Sequence, residues 1–157
     1  MLDDYYQADL YIIQECEDPM QTNHREYQQF AHRHLWMGKN KNIGLGAFAM
    51  QNNKIRPIQL NAHYLNYMMP FLCNGRLFLG IWSHGNYVED LVVYFSIHKL
   101  FLMQKPIVIG DFNSNAKWDR KHSNRSHSVM NSQLENAGLI SVDHYLTGEK
   151  HGEKKKG

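Results

Sequence analysis

Between residues 76 and 110 the hydrophobic spacing changes period twice, and no other feature constrains the fold as tightly. "RLFLGIWS" (76–83) is an apolar run of strand length. Beyond it, Val88, Leu91, Val92, Phe95 and Leu102 recur at helical spacing, which predicts an amphipathic helix over 87–103. "KPIVIG" (105–110) returns to strand. "RSHSVMNSQLENAG" (125–138) predicts a second helix that stops at Gly138, and "LISVDHYL" a last strand. Strand, helix, strand, helix, strand from 76 to 146 points to an α/β domain.

Upstream of that stretch the pattern is richer in strands. "ADLYIIQE" (8–15) reads as a buried strand carrying Glu15 at its carboxyl end. "CEDPMQTNHRE" reads as a loop, because Pro19 breaks any early helix. In "FAHRHLWMG" (30–38), the alternation of Phe30, His32, His34 and Trp36 suits a strand, while the preceding Glu and Gln residues suit a helix. "KNKNIGLGAFAM" (39–50) holds a turn followed by a strand. "NNKIRPIQL" leads into an edge-like strand, since Pro57 has no N–H for a ladder. "YLNYMMPFLC" (64–73) is apolar but broken by Pro70. The tail over 147–157 is charged and glycine-bearing, which predicts mobility.

At 157 residues the usual expectation is one domain, and 43% hydrophobic residues supply a core. A formal net charge of +2 argues by itself for neither nucleic acid nor membrane. Cys16 and Cys73 make no disulfide framework and no zinc ribbon. "MLDDYYQADL" lacks a signal-peptide start, and no apolar run is long enough to span a bilayer. These features together predict a soluble, reduced, cytoplasmic protein with no membrane partner. His32 and His34 lie two apart, but without a second ligand pair a structural role is favoured over zinc. The glycines of "KNIGLGAF" lack a P-loop lysine.

The chemistry-bearing positions are the strand ends. Glu15 follows one apolar run and Asp111 another, and ligands of α/β sheets gather beyond the carboxyl ends of strands. A hard divalent cation offsets the repulsion between two carboxylates brought together. Asn113 lies two residues beyond Asp111, on the same face of an extended chain. Its amide suits a phosphate oxygen or a nucleophilic water. The plainer alternative is that polar strand ends are solvated caps and that Asp-x-Asn after glycine is turn chemistry.

"ADLYIIQE", followed after a strand by "GDFNS", resembles the endonuclease/exonuclease/phosphatase superfamily, the group that holds exonuclease III, DNase I and the inositol polyphosphate phosphatases. "LFLGIWSHGNYVEDL" corresponds to its middle element, and the resemblance covers residues 8–146. It implies a DNase I-like four-layer sandwich, α/β (α+β), of mixed sheets flanked by helices, here partial. It implies a hydrolase that cleaves a phosphate ester by water attack with Mg2+ or Mn2+. Glu15 would be the metal ligand, Asp111 would orient or deprotonate the water, and Asn113 would contact the scissile phosphate. His84 would touch phosphate from the middle strand, although Trp82 falls nearest the family position. The substrate would carry phosphate, nucleic acid included. The basic run "KWDRKHSNRSHS" (117–128) follows the motif and reads equally as a loop or as a border to such a substrate.

The family pattern also has an Asn-bearing first strand and a closing Ser-Asp-His. "MLDDYYQ" contains no Asn, and Asp143-His144 comes too soon after "GDFNS" to be that pair. Residues 1–146 are thus expected to be the middle of such a domain, incomplete at both ends and weak or inactive in hydrolysis. The alternative is a catalytically inactive remnant kept as a binding or structural piece.

Overall fold

The computed structural model describes residues 7–63, 65–85 and 88–148. The chain forms two compact units. The first runs to Trp82 and includes Ile107–Asp111; the second takes Ser83–Pro106 and the chain from Phe112 onward. Strands and helices are both well represented, so the protein is of mixed α/β content with two sheets.

The first unit is built on those two sheets. β1 (Leu10–Cys16), β2 (His34–Asn40) and β3 (Ile43–Ala49) form one, in the antiparallel order β1-β3-β2. β4 (Ile55–Pro57), β5 (Met68–Cys73), β6 (Arg76–Trp82) and β7 (Ile107–Asp111) form the other, in that order. β6 and β7 are parallel, as a strand–helix–strand connection requires. The alternation of β3 sends Leu45, Ala47 and Ala49 to one face. There they join Met69, Phe71 and Cys73 of β5, with Tyr67 and Trp82, in one buried cluster between the sheets. Phe48, on the opposite face of β3, packs against Phe30 at a ring separation of 5.3 Å. Phe30 closes helix α1 (Arg25–Phe30), which covers that outer face with Tyr27. The ambiguous stretch around residue 30 is therefore helix first, then strand from His34.

Pro70 corrects an expectation, because it lies inside β5 and does not interrupt it. Its carbonyl accepts from Ile58 N at 2.9 Å, just past the end of β4. N and C=O of one strand residue point to the same side, so the missing N–H faces the margin where β4 has stopped.

In the second unit the expected helix over 87–103 is two: α2 (Val88–Ile97) and α3 (Lys99–Leu102). Val88, Leu91, Val92, Tyr94 and Phe95 form the buried stripe of α2. A 3-10 turn (Ala116–Lys121) precedes α4 (His127–Asn136), whose Ser126 N-cap accepts from Val129 N. Gln133 of α4 donates to Ser96 Oγ at 2.7 Å and to Val92 O at 3.2 Å, which pins α4 to α2. The last expected strand is helix α5 (Val142–Thr147). "SVDHYL" carries β-type residues but pairs with no strand among the described residues, and Ser141 Oγ meets His144 Nδ1 at 2.6 Å within one helical turn. The mobility expected of 147–157 falls mostly on residues outside those described.

Candidate functional site

Strand direction in the first unit follows from two links. Asn53 Nδ2 donates to Asp9, at 3.0 Å to its carbonyl and 3.2 Å to its carboxylate. The Asn53 side chain also accepts from Asn74 Nδ2. Asp9 precedes β1 and Asn74 precedes β6, so the two strands start side by side. Further along, Ile12 Cγ2 lies 3.7 Å from where a Cβ on Gly80 would stand. β1 therefore runs in the same direction as β6 and β7. The carboxyl ends of all three, with Glu15, Trp82 and Asp111, lie at the same end of the unit.

A β-bulge shapes the end of β1. Ile13 pairs with Gly46 and Cys16 with Gly44, so Gln14 and Glu15 together oppose Leu45 alone. A bulge bends its strand and re-aims a side chain. Glu15 takes the left-handed backbone, φ 58, and is exposed. Such a conformation costs a residue with a Cβ on the order of 1–2 kcal/mol. Cys16 beyond it turns inward, and burial raises its thiol pKa, with partial offsets from Tyr27 and Trp36. Burial likewise raises Cys73, and both cysteines are free.

At the end of β7, Asp111 is half-buried and stands opposite Trp82 in the ladder. Glycine before it is compulsory. A Cβ on Gly110 would come 1.9 Å from Ile81 O, and its φ is 147. Trp82 is 3% exposed, with its ring 4.5 Å from that of Tyr67, so it is core and not a phosphate contact.

His84 and Asn113 belong to the second unit. His84 is exposed in the loop that leaves β6. Asn113 has φ 44, a backbone region that asparagine tolerates better than most residues. Its Nδ2 donates to Ser83 O at 3.0 Å, which ties together the segments that follow β6 and β7. Ser83 is 2% exposed, and its Oγ is buried without a hydrogen-bond partner among the described residues.

Sequence reasoning missed one pair beside the motif: His127 Nδ1 meets Ser114 Oγ at 3.0 Å. His127 counted there only as part of a basic run, and no spacing signal links it to Ser114. The run itself is divided. His122 Nδ1 lies 3.4 Å and Arg125 Nη2 3.7 Å from the Glu89 carboxylate, so these two hold the start of α2. Lys117, Arg120 and Lys121 face solvent.

Among the described residues no three His, Cys, Asp or Glu side chains gather as a ready-made metal cage. The donors at the shared strand end are carboxylates. That chemistry fits Mg2+, which is held by one or two carboxylates and completes its shell with water and substrate phosphate. No helix among the described residues is long and apolar enough to cross a membrane. No protein-family model matches the chain, and no curated protein matches it in sequence.

Proposed function

We propose that the chain is a metal-dependent phosphoesterase domain related to the DNase I-like sandwich enzymes. The observation that carries this reading is the common direction of β1, β6 and β7, which gives Glu15 and Asp111 the same end of their unit. Two sheets packed face to face, with a helix outside one of them, support it further. Glu15 holds the divalent ion, Mg2+ or Mn2+. Bound there, such an ion offsets charge on a phosphoryl oxygen. Asp111 accepts a hydrogen bond from the attacking water and orients it. The resemblance assigns phosphate contact to Asn113 and His84, which belong to the second unit.

A binding role without turnover is the second reading, favoured by two observations. Asp143 and His144 lie on helix α5 and not at a strand end. The one strand position that resemblance gives to a phosphate-touching residue is filled by buried Trp82. The deciding experiment incubates the purified chain with a phosphodiester, with Mg2+ and with chelator, for wild type and Glu15→Gln. Mg2+-dependent turnover lost in Glu15→Gln supports the enzyme. Mg2+ binding that is lost in Glu15→Gln, with no turnover in either protein, supports the binding piece. Neither turnover nor Mg2+ binding overturns both.

A further inference from the structure

At the opposite end of the first unit from Glu15 and Asp111, an open cleft of about 620 Å3 is lined by Arg33, Lys54, Ile55, Arg56, Leu72, Asn74 and Gly75. We propose that this cleft binds phosphate groups of single-stranded nucleic acid.

Three of its lining residues are cations and none is an acid. They arrive from separate segments: Arg33 from the loop before β2, Lys54 from the turn before β4, and Arg56 from β4 itself. The fold holds these segments together. Arg33 donates through its guanidinium to Gln51 O, and Lys54 N donates to Asn74 Oδ1 at 2.9 Å. Asp9, the acid on the neighbouring Asn53, accepts hydrogen bonds from that amide. Packing three like charges around one cleft is unfavourable until an anion enters.

The arrangement selects the kind of anion. A small phosphate ligand is usually gripped by converging backbone N–H groups at a nest or a long helix start. Here the long side chains of exposed Lys54 and Arg56 and half-buried Arg33 are spread across an open surface, with Ile55 and Leu72 between them. Distributed cations match the repeated charges of a polymer backbone, and Ile55 and Leu72 offer apolar contact to the sugars between its phosphates. The site lies along β4 and the β5–β6 turn, so it requires no catalytic role for Glu15 or Asp111.

The test measures binding of a fluorescent oligo-dT of about ten nucleotides by anisotropy, in chelator and over a range of salt. Chelator stops any metal-dependent cleavage, so failure here is distinct from failure of the phosphoesterase reading. The variants are Lys54→Gln/Arg56→Gln and a charge-matched control in the second unit, Lys99→Gln/Lys105→Gln. Expected is roughly tenfold weaker binding for the cleft variant at low salt, with its log–log salt slope shallower by about 1.4, at ~0.7 per lost contact. The control should stay within about twofold of wild type. The proposal is overturned if wild type does not bind, if the cleft variant binds like the control, or if inorganic pyrophosphate occupies the cleft as tightly as the oligonucleotide.

Discussion

Trp82 and Asp111 stand directly opposite each other at the end of the β6–β7 ladder, one sealed in the core and the other half-open. One strand pair therefore ends in a sealed aromatic ring and a solvent-accessible carboxylate. Trp82→Ala removes an indole packed on Tyr67 and should cost roughly 3–5 kcal/mol. Trp82→Phe should cost clearly less. His84→Ala, at an exposed loop position, should leave the denaturant midpoint where it was. A midpoint for Trp82→Ala equal to wild type would remove Trp82 from the core account.

Asp111→Asn tests the other half of that pair. The change keeps size and hydrogen-bonding reach but takes away the charge. A turn former would be served about equally well by asparagine, so melting in chelator should hold. Phosphodiester turnover with Mg2+, wherever it is measurable, should drop by about two orders of magnitude or more. Equal turnover in both proteins would make "GDFNS" a turn and nothing else.

Glu15 takes a conformation that glycine adopts without strain, at an exposed position outside the core. Glu15→Gly relieves the backbone and raises unfolded-state freedom, two effects of about 1 kcal/mol that oppose each other. Stability should stay close to wild type. On the proposed metal role of Glu15, Mg2+ should raise the melting temperature of wild type and leave that of Glu15→Gly unmoved. A persisting shift would place the metal elsewhere.

Much of this was legible in the chain, and the misses share a cause. Apolar runs such as "RLFLGIWS" and "PIVIG" name their own strands, because burial on both faces leaves no other use for them. Glu15 and Asp111 stood out because an acid directly after such a run breaks its logic. Pro70 misled because its tolerance depends on where β4 ends, a fact about a partner strand. "LISVDHYL" misled because its strand propensity meets no ladder among the described residues. The Ser114–His127 and Asn113–Ser83 bonds join residues whose separation carries no periodic signal. The bulge that turns Glu15 outward exists only in the pairing of β1 with β3.

Gly110→Ala should be among the most damaging single-methyl changes available to the chain. The new Cβ meets Ile81 O at 1.9 Å, and the φ of 147 is one that side chains rarely adopt. Backbone strain alone costs on the order of 1–3 kcal/mol, before the clash moves β7 off β6. Gly75→Ala, with open space around its Cβ but φ 78, isolates the strain without the clash. Thermal melts should rank wild type, Gly75→Ala and Gly110→Ala in falling order. Equal losses at the two glycines would mean that β7 is free to shift.

Tyr94 supplies a pH test of the second unit's core. Burial on α2 pushes its phenol from the ordinary 10.0 up to about 12. The side chain is 1% exposed and lies against His98, with ring centroids 4.4 Å apart. Below pH 10 both folded and unfolded chains keep the proton, and the contribution of Tyr94 to stability is fully present. Between about 10 and 12 the unfolded chain releases the proton while the folded chain retains it, so stability falls as pH rises. Tyr94→Phe has no proton to lose there. Urea midpoints should therefore fall less steeply for Tyr94→Phe than for wild type across that window, and the two should run together at neutral pH. Parallel curves from neutral to about pH 12 would mean that the phenol reaches water in the folded state.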